Sequence, residues 1–323
     1  MMDEITLLRD LIRIPSPSGE ERELGIFLAQ LLSKDFTVKR QQVGNRTNVL
    51  AQCGKARLLL TTHMDTVPGQ LPIREDERFI KGRGTCDAKA SMAAMISAAS
   101  RAREEGLTDF GLLFDVSEET DFSGIKKAIQ LAQPETVIIG EPTCLKIING
   151  QKGLISAKIT CTGRKAHASM PEKGKSAIDE LLSLLNQVRK IKFPKNKYGT
   201  TTLNIGRIIG GESANVVADK ASCDLDIRTV TKNMMIIKKL QAIIPRTSLN
   251  ISASYEPVLR KGTIAPYFTE MYFWNKKVKE VIVCGPGNID YAHSDKERVE
   301  KRELLNGTRT YLDMIRRFQR ASQ

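Results

Sequence analysis

The chain has 323 residues, of which 41% are hydrophobic and 27% charged, with a net charge of +13. That length is long for one core and predicts two domains; no apolar run approaches a membrane span, and acids occupy the start, Met1-Met2-Asp3-Glu4, where a signal peptide carries bases, so a cytoplasmic protein is expected. Aromatics are only 5%, the Lys and Arg residues read as spread along the chain, and no basic-aromatic stripe or DNA-binding motif stands out, which leaves a small-molecule partner rather than nucleic acid or membrane, with the basic surface attracting anionic substrates.

Apolar positions recur at helical spacing in residues 3–13 and 20–34. The run Arg57-Leu58-Leu59-Leu60-Thr61-Thr62 ends at His63 and reads as a buried strand. Residues 88–105, rich in Ala, Met and Ser, read as a buried helix. Strands follow at 110–116 and 136–140. Alternating strand and helix predicts an α/β domain with a mostly parallel sheet and helices on both faces. The pattern then changes. Strands at 154–162, 201–209, 221–229 and 250–255, with helices at 176–191 and 233–244, give the order β-α-β-β-α-β of a ferredoxin-like domain. After Gly262 the chain returns to the first domain with a strand at 281–284 and a helix from about 296 to 319. The expected division is therefore 1–151 with 262–323, interrupted by 152–261. Six cysteines (Cys53, Cys86, Cys144, Cys161, Cys223 and Cys284) contain no Cys-x-x-Cys pair and read as reduced thiols filling small core spaces.

There are three histidines, His63, His167 and His293, and all lie in polar, turn-like contexts. His63 closes a predicted parallel strand, where open α/β sheets place their sites. Asp65, two residues on, can hydrogen-bond the ring nitrogen that faces away from a metal. In Gly82-Arg83-Gly84-Thr85-Cys86-Asp87 a glycine turn presents an acid. A phosphate loop is disfavoured, because Asp87 stands where a dinucleotide fingerprint needs its third glycine. Glu118 and Glu119 follow the strand 110–116. Adjacent extended residues point to opposite sides, so one can bind a metal while the other reaches its water. Glu141 follows the strand 136–140, and His293 lies beyond the strand 281–284. Any one such acid is usually a surface charge. Two histidines and four acids at the strand ends of one sheet suit Zn²⁺, or less selectively Co²⁺ and Mn²⁺, and the surplus of acids suggests two ions sharing a carboxylate.

The motifs His63-Met64-Asp65-Thr66-Val67-Pro68, Gly82-Arg83-Gly84-x-x-Asp87-x-Lys89, Glu118-Glu119 and Gly140-Glu141-Pro142-Thr143 together resemble the zinc aminoacylase and glutamate carboxypeptidase family, which includes acetylornithine deacetylase and succinyl-diaminopimelate desuccinylase. The resemblance spans essentially the whole chain. It implies that His63 and Glu141 bind one metal, Glu119 and His293 the second, and Asp87 both, with a cis peptide after Asp87. It implies Glu118 as general base and Asp65 as the residue orienting His63. In the inserted lid and dimerisation domain, Lys165-Ala166-His167-Ala168 resembles the segment whose histidine reaches the active site of the partner subunit in a homodimer. Asn215 and Arg228 resemble substrate-binding positions. Two departures stand out: Cys86 replaces a small residue, and the loop Gly262-Thr263-Ile264-Ala265-Pro266 lacks the Ser-Asp pair that shapes the pocket in relatives.

The chemistry of these types agrees with the roles. Two ions acidify a shared hydroxide, a carboxylate shuttles its proton to the leaving amine, His167 and a metal stabilise the oxyanion, and Arg228 can grip a substrate carboxylate through a two-bond fork. The expected activity is zinc-dependent cleavage of an N-acylated amino acid of the acetylornithine or succinyl-diaminopimelate type. The alternatives are release of lysine or ornithine from an amino-carrier protein, a dipeptidase or aminopeptidase, and, in another class, a non-catalytic binding homologue. A homologue of that last kind lacks a ligand or the base, and here none is missing.

Overall fold

A computed structural model describes residues 3–321. The chain divides into two compact units, one running to Asn149 and resuming at Thr269, the other Gly150–Phe268. The second unit ends at 268 rather than 261 because Ile264–Ala265 pairs in parallel with Gly150–Gln151. The positive charge is not spread evenly between the two. Residues 150–268 carry 20 basic and 8 acidic side chains, so nearly all of the +13 excess belongs to the second unit.

The first unit is built on a six-stranded sheet in the order Thr37–Val43, Arg46–Cys53, Phe110–Asp115, Leu58–His63, Thr136–Ile139, Glu280–Val283. The last four run parallel and the first two are an antiparallel hairpin at the edge. That hairpin is absent from the sequence reading: residues 37–43 are largely polar and half exposed, so no buried stripe marks them. Its signal is Gly44, whose φ of 63° is the left-handed value a tight hairpin turn needs at its first position.

Strand alternation separates two faces. Leu58, Leu60, Phe110, Leu112, Phe114 and Ile138 enter a core with side chains of the helices Glu4–Arg13, Arg22–Leu32, Lys89–Glu104 and Lys301–Ala321. Leu59, Thr61 and His63 alternate with them and therefore point to the other face. The helix Lys89–Glu104 is buried on nearly every side, which its small Ala and Ser residues permit. Backbone at Gly140 approaches it so closely that a Cβ there would stand 2.7 Å from Ser91 and Met95. The final helix begins at Lys301 rather than 296, because Arg298–Glu300 pairs with Phe79–Lys81 in a small three-stranded sheet.

The second unit is a four-stranded antiparallel sheet in the order Thr202–Gly210, Lys220–Thr229, Gly153–Thr162, Leu249–Tyr255, with the helices Ala177–Val188 and Asn233–Gln241. Ile155, Ile159, Leu225 and Ile227 pack with Leu181, Leu185, Ile236 and Leu240 in its core. This is the β-α-β-β-α-β order read from the sequence. All six cysteines are free; Cys86, Cys161, Cys223 and Cys284 are buried as expected, but Cys144 is exposed. Among the described residues no helix is long and apolar enough to cross a membrane.

Candidate metal centre

One end of the parallel sheet gathers the five expected ligands. His63 is the last residue of the strand Leu58–His63 and is 1% exposed. Glu118 and Glu119 follow the neighbouring strand after a turn at Ser117, where φ is 64°. Glu141 follows Thr136–Ile139. Asp87 closes the glycine turn that enters the helix Lys89–Glu104, and the Asp87–Ala88 peptide is cis, as the resemblance implies. His293, at φ 58°, lies just past the short turn Ile289–Tyr291.

Asp87 stands at the middle. Its Oδ1 is 3.1 Å from Nε2 of His63, and its Oδ2 is 3.2 Å from Nε2 of His293. Glu141 Oε1 lies 4.0 Å from Nε2 of His63, and Glu119 Oε1 lies 2.7 Å from Nε2 of His293. Two candidate ligand sets result, His63 with Asp87 and Glu141, and Asp87 with Glu119 and His293, each with its donor atoms within 4.8 Å of one another. Nδ1 of His63 lies 2.8 Å from the backbone oxygen of Asp65. A carbonyl only accepts, so Nδ1 carries a proton, and it is Nε2, facing the acids, that gives up its proton to become a metal ligand.

The electrostatics fit a cation. Five acids, Asp65, Asp87, Glu118, Glu119 and Glu141, are buried or nearly so around two imidazoles. Burial, then repulsion from neighbouring acids, pushes the carboxyls of Glu118 and Glu141 well above the usual range. Burial also raises Glu119, against the hydrogen bond from His293. Burial would raise Asp87 too, but hydrogen bonds from His293 and His63 override it and hold Asp87 low. Hydrogen bonds to Asp87 and Glu119 raise His293 to about 10. Metal ligands bind in their deprotonated form, so a cation taken up by these groups would release protons from them.

The supports of these loops come largely from residues the sequence did not point to. Asp65 faces Nδ1 of His63 twice, with its backbone oxygen at 2.8 Å and its carboxylate at 3.6 Å. The carboxylate accepts from the backbone N–H of Glu118 and of Glu119, both at 3.0 Å, and from Ser18 at 2.6 Å. Glu21 accepts from the N–H of Ser117 at 3.0 Å and pairs with Arg46, which also donates to Ser117 Oγ. Glu297 accepts from the N–H groups of Cys86 and Asp87 and pairs with Arg83. Behind His63, Asp115 and Glu270 form a fully buried pair of acids. Cys86 is buried, and that burial pushes its thiol up.

The other three expected residues belong to the second unit. His167 is exposed, with Nδ1 2.7 Å from Ser169 Oγ. Its strand segment pairs with Val216, and Ala168 donates to the Asn215 carbonyl, so His167 and Asn215 share one pair of loops. The Asn215 side chain accepts from Ser213 at 2.6 Å. Arg228 is not a free fork: it makes two bonds, 2.7 and 3.0 Å, to Asp226 two residues back on the same strand face.

Two histidines and three carboxylates grouped about one shared acid at the strand ends of a parallel sheet define a metallohydrolase. A family model, peptidase family M20/M25/M40, matches residues 59–317, and the chain belongs to that family. It is 34% identical, over 95% of this chain and 88% of the other, to a probable carboxypeptidase of Aspergillus niger. Its fold is similar to that of a tripeptidase from Staphylococcus aureus (TM-score 0.80, 20% identity, 99% of this chain and 100% of that one). It is also similar to that of a Bacillus subtilis protein described as a dinuclear metal-binding peptidase of the M20 family (TM-score 0.68, 14% identity, 97% and 96%).

Proposed function

We propose that this protein hydrolyses a linear amide whose amine half is an amino acid, with two divalent cations held by the paired ligand sets. The observation that carries the reading is Asp87, whose two oxygens face two different histidines at 3.1 and 3.2 Å, the placement of a carboxylate shared between two ions. Zn²⁺ suits imidazole with carboxylate, and Co²⁺ or Mn²⁺ are the less selective substitutes. When bound, the cations polarise the scissile carbonyl and acidify the attacking water. Glu118, buried at the same end of the sheet, accepts the proton of that water and delivers it to the leaving nitrogen. Asp65 holds base and ligand at a fixed spacing, because its carboxylate takes the backbone N–H of both Glu118 and Glu119. His167 donates to the developing oxyanion from the second subunit of a homodimer.

The substrate reading is an N-acylated amino acid, of which acetylornithine and succinyl-diaminopimelate are examples. A second reading, a peptide losing its C-terminal residue, is favoured by the carboxypeptidase name of the Aspergillus relative. Both present the same bond, an acyl carbon joined to the nitrogen of a residue with a free carboxylate. The concentration of positive charge in residues 150–268 supports an anionic substrate. Asp226 takes two of the five N–H donors of Arg228, and the other three are what that arginine can offer a substrate carboxylate.

The test is a chelated protein reloaded with zinc and offered acylated amino acids, dipeptides and tripeptides with and without a free carboxylate. Cleavage that requires both cation and carboxylate supports the reading; cleavage in excess chelator overturns it. Light scattering on the active protein tests the dimer, and full activity in a monomer removes His167 from the reaction.

A further inference from the structure

Glu297 follows His293 by four residues in a run of charges, Asp295-Lys296-Glu297-Arg298, that reads as surface. It is 2% exposed. Its Oε1 receives two consecutive backbone N–H groups, Cys86 at 3.1 Å and Asp87 at 3.2 Å. Its Oε2 receives Arg83 Nη1 at 2.7 Å, and its own carbonyl receives the N–H of Gly82 at 3.3 Å. Arg83 is in turn fixed by the carbonyl of Gly69 at 3.0 Å. One residue therefore holds both ends of the turn 82–87.

We infer that Glu297 is the positioning residue for Asp87, setting the carboxylate that both cations share; the inference rests on the two-cation reading above. An ordinary structural ion pair needs only Arg83 and one oxygen. Here the second oxygen anchors the peptide of the shared ligand itself, so the direction of the Asp87 side chain is set at its own backbone. The segment 293–297 also carries His293, so one short stretch of chain places a ligand of one cation and fixes the ligand common to both. Residues that hold a metal ligand from behind are worth about 10- to 100-fold in metal affinity.

Glu297→Gln tests this at constant volume. A glutamine offers one oxygen and one NH₂. With the oxygen toward the two backbone N–H groups, the NH₂ faces the guanidinium of Arg83, donor against donor. Turned over, it faces the N–H groups instead. One side is lost either way. Arg83→Lys keeps a donor to Oε2 and serves as the conservative comparison.

Each chelated protein is titrated calorimetrically with Zn²⁺, and its Co²⁺ complex is followed by d–d absorption. The expected result is two equivalents bound by the wild type, with the weaker falling about 10- to 100-fold in Glu297→Gln together with a changed cobalt spectrum, and within about threefold of wild type in Arg83→Lys. A folded Glu297→Gln with both wild-type affinities and the wild-type spectrum overturns the inference, even if its melting temperature drops. If that variant does not fold, Glu297→Asp, which keeps the charge but shortens the reach, is read in the same way. A wild type that binds fewer than two equivalents refutes the two-cation reading instead, and the two failures are thereby distinguished.

Discussion

Asp115→Asn should stabilise the protein, and increasingly so as pH rises. Asp115 and Glu270 are 0% and 1% exposed, and among the described residues their carboxyl oxygens have no donor but each other. Two adjacent buried carboxyls cannot both ionise, so the pair retains protons and one acid donates to the other. Burial first, and then the nearby charges of Asp65 and Glu118, raise Asp115 from 3.8 to about 7. An acid whose folded-state pKa is raised contributes stability at low pH that is lost as pH climbs from its unfolded to its folded value. Between pH 5 and 7 the unfolded chain has already released this proton and the folded chain has not. At about 1.4 kcal/mol per pH unit the folded state loses about 3 kcal/mol across that window. Asparagine has nearly the shape of the protonated acid and donates a permanent N–H to Glu270. Glu270 itself stays raised in the variant, because burial is the main cause of its shift. Urea unfolding of chelated wild type and Asp115→Asn at pH 5, 6, 7 and 8 provides the assay. The variant's advantage should grow by about 2–3 kcal/mol between pH 5 and pH 7 and flatten above it. A stability difference that stays constant across the series refutes the buried shared proton.

Further outcomes follow from the same geometry. Glu118→Gln should lose about 10²- to 10⁴-fold in kcat with cation content unchanged, as measured by elemental analysis beside turnover. Gly285→Ala should weaken the cation of the His63 set, since its Cβ would stand 2.4 Å from Ser91 Oγ and 2.6 Å from the Glu141 carbonyl; zinc titration then shows the loss with the second site spared. Asp65→Asn leaves one oxygen for two backbone N–H groups and should cost about 1–3 kcal/mol of stability by chemical denaturation, with a lower kcat.

What the sequence disclosed and what it hid differ by the kind of partner each residue has. The candidate ligands were legible because strand ends mark themselves: the apolar run before His63 and the one before Glu118 stop where the acids and imidazoles begin, and the parallel sheet brings such ends together. The inserted unit was legible through its change of period, and its boundary slipped only because two residues, Ile264 and Ala265, pair too briefly to leave a pattern. The hairpin 37–53 lacks that advantage, being an edge with few buried positions on its first strand.

The supporting acids were hidden for a different reason. Glu297, Glu21 and Asp65 act on backbone N–H groups, which every residue but proline possesses, so no side-chain type marks the other end of the contact. Glu297 reaches Asp87 across 210 positions and Glu21 reaches Ser117 across 96. The same limit hid the second task of Asp65. Its spacing from His63 points to the imidazole, yet its oxygens also take donors at 2.6–3.0 Å from Ser18, Glu118 and Glu119, and its carbonyl stands nearest the ring. A residue two places from a ligand can thus orient it through the backbone while its side chain secures the base, and replacing that side chain alone should move Glu118 before it moves His63.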